Sequence, residues 1–208
     1  MVHGKLYRAA LMASRFDISQ KLIHFTSGES ADDAFARLTA IIGARRLIGG
    51  ASLIRGSYKC VCFTEAPLAA FTDIFVRRYP FTRYSQFGLM FEKSWIYDRG
   101  GRPVIYQPDS DFNILPDELR WRHVRFELTG DHLIDFTWER EWRIRCDELP
   151  FSEAEAIFVV PNDQWVDALR DGYDAAQDLD VQLYSMVMEK EIAELWRQPF
   201  RWRVVTLQ

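Results

Sequence analysis

The sequence predicts an α+β protein, a single mixed α/β domain over residues 1–208. Three observations carry that prediction. Short apolar segments with period-two alternation recur along the chain, the pattern of strands buried on one face. Helix-spaced apolar stripes stand between some of these segments but not all, so strict βαβ alternation is absent. Hydrophobic residues make up 48% of the chain and charged residues 27%, which lets one unit bury a sizeable core.

Taken in order, Lys21-Leu22-Ile23-His24-Phe25-Thr26 reads as a strand running into a turn at Ser27-Gly28. Ser30, with Asp33 three residues on, starts a helix whose apolar positions are Phe35, Leu38, Ile41 and Ile42. Gly43, Gly49 and Gly50 close it. Tyr58 to Thr64 is a strand, and Glu65 to Arg78 a helix entered through Pro67, a residue tolerated in a first turn. Gln86 to Phe91 is a strand, Lys93 to Asp98 one helical turn, Gly100-Gly101 a break, and Pro103 to Tyr106 another strand. Residues 108–120 hold Pro108 and Pro116 among acidic side chains and read as a long loop or insertion. The stretch from Trp138 to Ile144 is a strand, as is Ala156 to Val160.

Residues 163–197 form a C-terminal helical segment, helical over 163–171 and 178–197. In the second part Leu179, Leu183, Met186, Val187, Ile192 and Leu195 make a stripe expected in the core. Trp202 to Leu207 closes the chain as a strand, for a total of about six to eight strands.

A net charge of −4 without a basic tail argues against non-specific duplex binding through phosphate neutralisation. The arginines at 77, 78 and 83, and at 120, 122 and 125, read as solvated faces. Three cysteines make no disulfide framework and fit a reducing cytoplasm. Cys60 and Cys62 share a strand face, but no second Cys/His pair at zinc spacing joins them, so buried thiols and no metal are expected. The apolar run Ala9–Ala13 is too short for a signal peptide or a membrane span. A cytoplasmic chain without membrane contact is the expectation. Neither a Gly-rich phosphate loop, a Gly-x-Ser-x-Gly elbow nor a His-Glu-x-x-His helix occurs.

The most informative stretch is Trp138-Glu139-Arg140-Glu141-Trp142-Arg143-Ile144. Its alternation sets Trp138, Arg140, Trp142 and Ile144 on one strand face and Glu139, Glu141, Arg143 and Arg145 on the other. If the polar face meets a cavity, two adjacent carboxylates suit gripping a ribose and stabilising a cation. If it meets solvent, the row is an ion-pair ladder. Alone, the motif slightly favours the ladder.

Four segments stand in a telling order. They are Ile23-His24-Phe25-Thr26, then Cys62-Phe63-Thr64-Glu65-Ala66-Pro67-Leu68, then Phe87-Gly88-Leu89 with Trp95 and Gly101 to Tyr106, and lastly Glu139-Arg140-Glu141-Trp142-Arg143-Ile144. Over residues 20–160 this order resembles the ADP-ribosyltransferase fold, and within it the prokaryotic AbiGi-like abortive-infection and phage-resistance proteins and their uncharacterised bacterial relatives. The resemblance implies a split central sheet with flanking helices. It also implies NAD as substrate, bound by His24, Phe25, Thr26, Phe63 and Thr64, with Glu141, Glu139 and His24 in catalysis.

In that scheme His24 bonds the nicotinamide ribose and Phe63 stacks near the nicotinamide. Glu141 stabilises an oxocarbenium-like state, and Glu139 orients the acceptor. Two departures stand out: Phe63 lacks a tyrosine hydroxyl, and no Ser-Thr-Ser follows the second strand.

The function implied is mono-ADP-ribosyl transfer or NAD glycohydrolysis in bacterial toxin–antitoxin or anti-phage defence. The macromolecular acceptor, protein or nucleic acid, is unspecified, and a cognate toxin or antitoxin is the expected partner. The alternative is a catalytically inactive relative serving as an interaction protein, an antitoxin or sensor. Either way, the strands carrying His24, Phe63 and Glu141 are expected side by side, opening onto one cleft.

Overall fold

The computed structural model describes residues 18–68, 84–129 and 133–207. Most of the helix expected over Glu65–Arg78, the arginines at 77, 78 and 83, and the apolar run 9–13 lie outside the described residues.

Among the described residues the chain forms eleven strands and five α-helices. In chain order they are β1 (Lys21–Phe25), α1 (Ala31–Ala44), β2 (Arg46–Ile48), β3 (Cys60–Thr64), β4 (Gly88–Glu92), α2 (Lys93–Asp98), β5 (Arg102–Pro103), β6 (Ile105–Gln107), α3 (Asp117–Arg120), β7 (His123–Arg125), β8 (Glu141–Arg145), β9 (Glu148–Pro150), β10 (Ile157–Val160), α4 (Asp163–Tyr184), α5 (Lys190–Glu194) and β11 (Arg203–Thr206). Seven strands make one sheet in the order β11-β10-β4-β1-β3-β8-β5, with β2-β9 and β6-β7 as separate pairs. Within the seven, only β10–β11 is parallel. This is a mixed α/β architecture of the α+β kind.

Alternation along each strand decides the two faces. Leu22, Val61, Phe63, Leu89, Phe91, Trp142, Ile144 and Phe158 fall on one face by register. There they form the core with Ala34 and Leu38 of α1, Ile96 of α2 and Leu169 of α4. The other face carries Ile23, Cys62, Thr64, Glu141 and Arg143. The segment from β6 to β7 packs against that face through Arg143, which donates to the Trp121 and His123 carbonyls.

Local chemistry explains several boundaries. Ser30 caps α1 by accepting the Asp33 amide, as the spacing predicted. The helix ends on Arg45 in the left-handed region, with Gly43 still inside it, so the predicted glycine stop is not what closes it. At Gly88 an added Cβ would lie 2.7 Å from the His24 carbonyl, so glycine there lets β4 lie tightly against β1.

Three further expectations need correction. The strand expected from Trp138 begins only at Glu141, because Thr137–Glu139 is a 3₁₀ turn and Arg140 adopts φ 45°, ψ 50°. The strand expected over Pro103–Tyr106 divides at Val104 into β5 and β6, which belong to different sheets. The third concerns the C-terminal segment. Its first helix runs unbroken to Tyr184, and Leu179, Leu183, Met186, Val187, Ile192 and Leu195 are exposed rather than core. The core cluster draws Trp165, Val166 and Leu169 from the first turns of α4, and none of its described members comes from the second half.

Candidate functional site

β1, β3 and β8 are successive strands of the large sheet, and a cavity of about 120 Å³ opens among them. Its walls include His24, Phe25, Phe63, Thr64, Glu139 and Glu141, together with Ile23, Cys62 and Tyr84. The opening follows from the pairing of β1 with β3, which registers only Ile23 opposite Thr64. Extending that register would put His24 and Phe63 on the core face and Glu141 on the other. The cavity draws its lining from both faces, so all three residues border it while the register keeps Glu141 on the face opposite His24 and Phe63.

His24 is held at this opening. Its Nδ1 lies 2.8 Å from the Cys62 carbonyl, which can only accept, so Nδ1 carries the proton. That fixes the neutral tautomer with Nε2 as an acceptor. Burial pushes the His24 pKa below its ordinary 6.5, against the opposing effect of the Cys62 bond. Its ring meets Phe63 edge-on, with centroids 6.0 Å apart.

Phe63 itself is only 2% exposed and also packs edge-on against Phe91. It contributes a small part of its surface to the cavity and offers no open stacking face. Phe25 and Tyr84 are less buried and supply the more accessible aromatic walls.

Glu141 is held by Arg143, two residues on along the same strand face. Arg143 Nε donates to Glu141 Oε1 at 2.8 Å and Nη2 to Oε2 at 3.1 Å. Arg143 is 5% exposed, and its Nη1 donates at 3.0 Å to each of the carbonyls of Trp121 and His123. Burial opposes the guanidinium's charge, but the Glu141 carboxylate outweighs it and raises the Arg143 pKa. The Glu141 amide donates to the Tyr106 hydroxyl at 3.0 Å. Burial lifts the Tyr106 pKa to about 12, so the phenol stays neutral.

Glu139 reaches the same cavity from the 3₁₀ turn rather than from the strand. It is buried, and its Oε1 accepts the Tyr84 hydroxyl at 2.6 Å. Its carbonyl accepts the Thr64 hydroxyl at 2.5 Å, and Thr64 Oγ1 accepts the Ala66 amide at 3.0 Å. Of the ladder expected of Glu139, Glu141, Arg143 and Arg145, Glu141–Arg143 is a buried ion pair on one strand. Arg145 stays exposed and lies over the Tyr58 ring.

Thr26 does not line the cavity. Its hydroxyl sits within 3.2 Å of the Ala34 and Phe87 carbonyls and the Ser85 hydroxyl, a knot joining β1, α1 and the approach to β4. Cys62 does line it, with a pKa well above the ordinary thiol range through burial first and the Glu141 charge second.

Sequence reasoning missed Tyr84, Cys62 and Arg143 as parts of this site. Arg143 was legible as a partner of Glu141 from the i, i+2 spacing on a strand. Tyr84 carried no signal, since nothing local couples it to Glu139. Among the described residues no group of three or more His, Cys, Asp or Glu is placed to hold a metal ion. None of their helices is long and apolar enough to cross a membrane. The chain matches no protein-family model, no curated protein and no solved structure.

Proposed function

We propose that the chain is an ADP-ribosyltransferase-like protein that cleaves the nicotinamide–ribose bond of NAD, as a mono-ADP-ribosyltransferase or NAD glycohydrolase in bacterial toxin–antitoxin or anti-phage defence. One observation carries the reading. His24, Phe63 and Glu141, drawn from separate segments in the family's order, line a single cavity on successive strands, with Glu139 beside them.

A cavity of about 120 Å³ is small beside pockets that enclose whole drug-sized ligands, of roughly 300 Å³ and upward. It suits the nicotinamide end of a dinucleotide, the rest lying outside. His24 Nε2 would accept a ribose hydroxyl, with Phe25 and Tyr84 flanking the heterocycle. When the C1′–N bond breaks, its electron pair leaves with nicotinamide and positive charge develops on the ribose. Carboxylates fixed beforehand beside that charge stabilise it more than the ground state. The cation is then captured by an acceptor nucleophile or by water, which loses its proton. Glu139, buried and bonded to Tyr84, is the group assigned to orient that nucleophile.

A specific observation favours a second reading, a non-catalytic interaction protein. Both Glu141 oxygens already accept from Arg143, which offsets the charge the reaction would use. Nicotinamide release separates the two. Wild type is expected to release nicotinamide from NAD, and Glu141→Gln to lose about a hundredfold or more, on the order of 3–4 kcal/mol of barrier. No release by wild type, together with no NAD-induced stabilisation, overturns the catalytic reading.

A further inference from the structure

Among the described residues, the second half of α4, the following turn and α5 carry several large apolar side chains that stand exposed. Met186 is 80% exposed, Val187 81%, Leu195 81% and Trp196 62%. Of the 22 residues in α4 only Leu169 and Val181 are buried. Between the two helices runs a groove of about 260 Å³ whose walls include Tyr184 and Trp196, their ring centroids 6.3 Å apart. Uncovered apolar surface of this extent on a folded chain marks an interaction site more often than an accident.

Charge identifies the occupant. From Asp163 to Gln198 nine carboxylates stand against three basic side chains, Arg170, Lys190 and Arg197, whereas the whole chain carries only −4. Of those three, Arg197 is already paired with Asp178 and Glu194. The apolar surface therefore lies in a strongly negative field. A second copy would bring the same negative charge to the contact, and an anionic lipid surface would be repelled.

We propose that this hairpin docks a basic amphipathic helix of a different protein. The helix's apolar stripe would enter the groove beside Tyr184 and Trp196, and its Lys or Arg side chains would meet the surrounding carboxylates. Leucine-like anchors in the groove give affinity, and the charges select the partner and hasten encounter. The site is separate from the cavity at β1, β3 and β8 and does not depend on NAD.

The test uses the full chain and two labelled synthetic amphipathic helices, one of leucine and lysine and one of leucine and glutamate, read by fluorescence anisotropy. The leucine–lysine helix is expected to bind and the leucine–glutamate helix not. Tyr184→Asp/Trp196→Asp is expected to weaken binding about tenfold or more, while Tyr184→Phe/Trp196→Phe keeps it. Both positions are exposed, so circular dichroism of the variants should match wild type. The aspartates add negative charge, so plain charge attraction would strengthen in that variant. Unchanged or tighter binding there overturns the proposal, as does equal binding of both helices. It is also overturned by a concentration-dependent dimer that Trp196→Asp dissolves, or by equivalent groove-dependent binding to phosphatidylcholine vesicles.

Discussion

Replacing Arg143 with methionine removes a guanidinium that makes four hydrogen bonds, two to Glu141 and one each to the Trp121 and His123 carbonyls. The pair is buried, with side-chain exposures of 6% for Arg143 and 12% for Glu141, so solvent cannot replace most of what is lost. Breaking a buried ion pair from one side costs about 3–5 kcal/mol, because the remaining charge is left uncompensated. Glu141 borders a cavity that admits water, which places its share near the lower end. The two carbonyls add about 1 kcal/mol each. Arg143→Met should therefore destabilise the chain by on the order of 4–5 kcal/mol, measured by urea unfolding at neutral pH.

Glu141→Gln/Arg143→Met should recover about 2–3 kcal/mol of that loss, since no charge is then stranded, while the carbonyls stay unsatisfied. A loss below about 1 kcal/mol in the single variant would refute the account of Arg143 as the anchor of this face. So would a double variant no more stable than the single one.

Four further outcomes follow from the same structure. His24 has a lowered pKa when folded, so the unfolded chain binds more protons below the ordinary 6.5. Stability is thus full above 6.5 and falls as the pH drops towards the folded value, and His24→Phe should flatten that slope in thermal melts recorded from pH 7 to pH 5. NAD at about a hundred times its dissociation constant should stabilise wild type by about 2.7 kcal/mol, where ATP at equal concentration does not; no shift at millimolar NAD would count against the cavity as its site. Glu139→Gln should change acceptor use more than nicotinamide release, and the reverse result would exchange the roles given to the two carboxylates. Cys60, its pKa pushed up to about 11 by burial, and Cys62, also held well above the ordinary thiol range by burial, should resist iodoacetamide at pH 8 in the native protein and react promptly in urea.

Much of the sheet was legible because its strands obey local rules. β1, β4, β10 and β11 show their boundaries through alternation and flanking turn residues, and α1 shows its start through Ser30. What failed was inference from a pattern that ran too far. The alternation from Trp138 to Ile144 is genuine in sequence, but a left-handed Arg140 interrupts it, and a non-glycine residue gives no local warning of positive φ. The C-terminal stripe shows the limit of periodicity in another way. A helix-spaced apolar row says that one face is oily, not that the fold holds anything to cover it.

At the candidate site, His24, Phe63, Glu139 and Glu141 were legible from the order of their segments. Tyr84 was not, since its partner lies 55 residues away. Thr26 looked like a ligand-binding residue beside His24, yet its contacts are all with the protein's own backbone and Ser85.

The left-handed Arg140 also sets the two carboxylates on different elements. Glu141 belongs to the sheet, opposite Thr64 by strand register and tied to the β6–β7 segment through Arg143. Glu139 belongs to the turn at 137–139, tied through its side chain to Tyr84 and through its carbonyl to Thr64. Their separation is therefore set by the conformation of a few turn residues. In chemistry run by two carboxylates, a change from about 5 Å to about 8 Å decides whether a water fits between them and which face of a sugar is attacked. If the proposed activity holds, substitutions confined to residues 136–140 would retune that outcome without touching a strand.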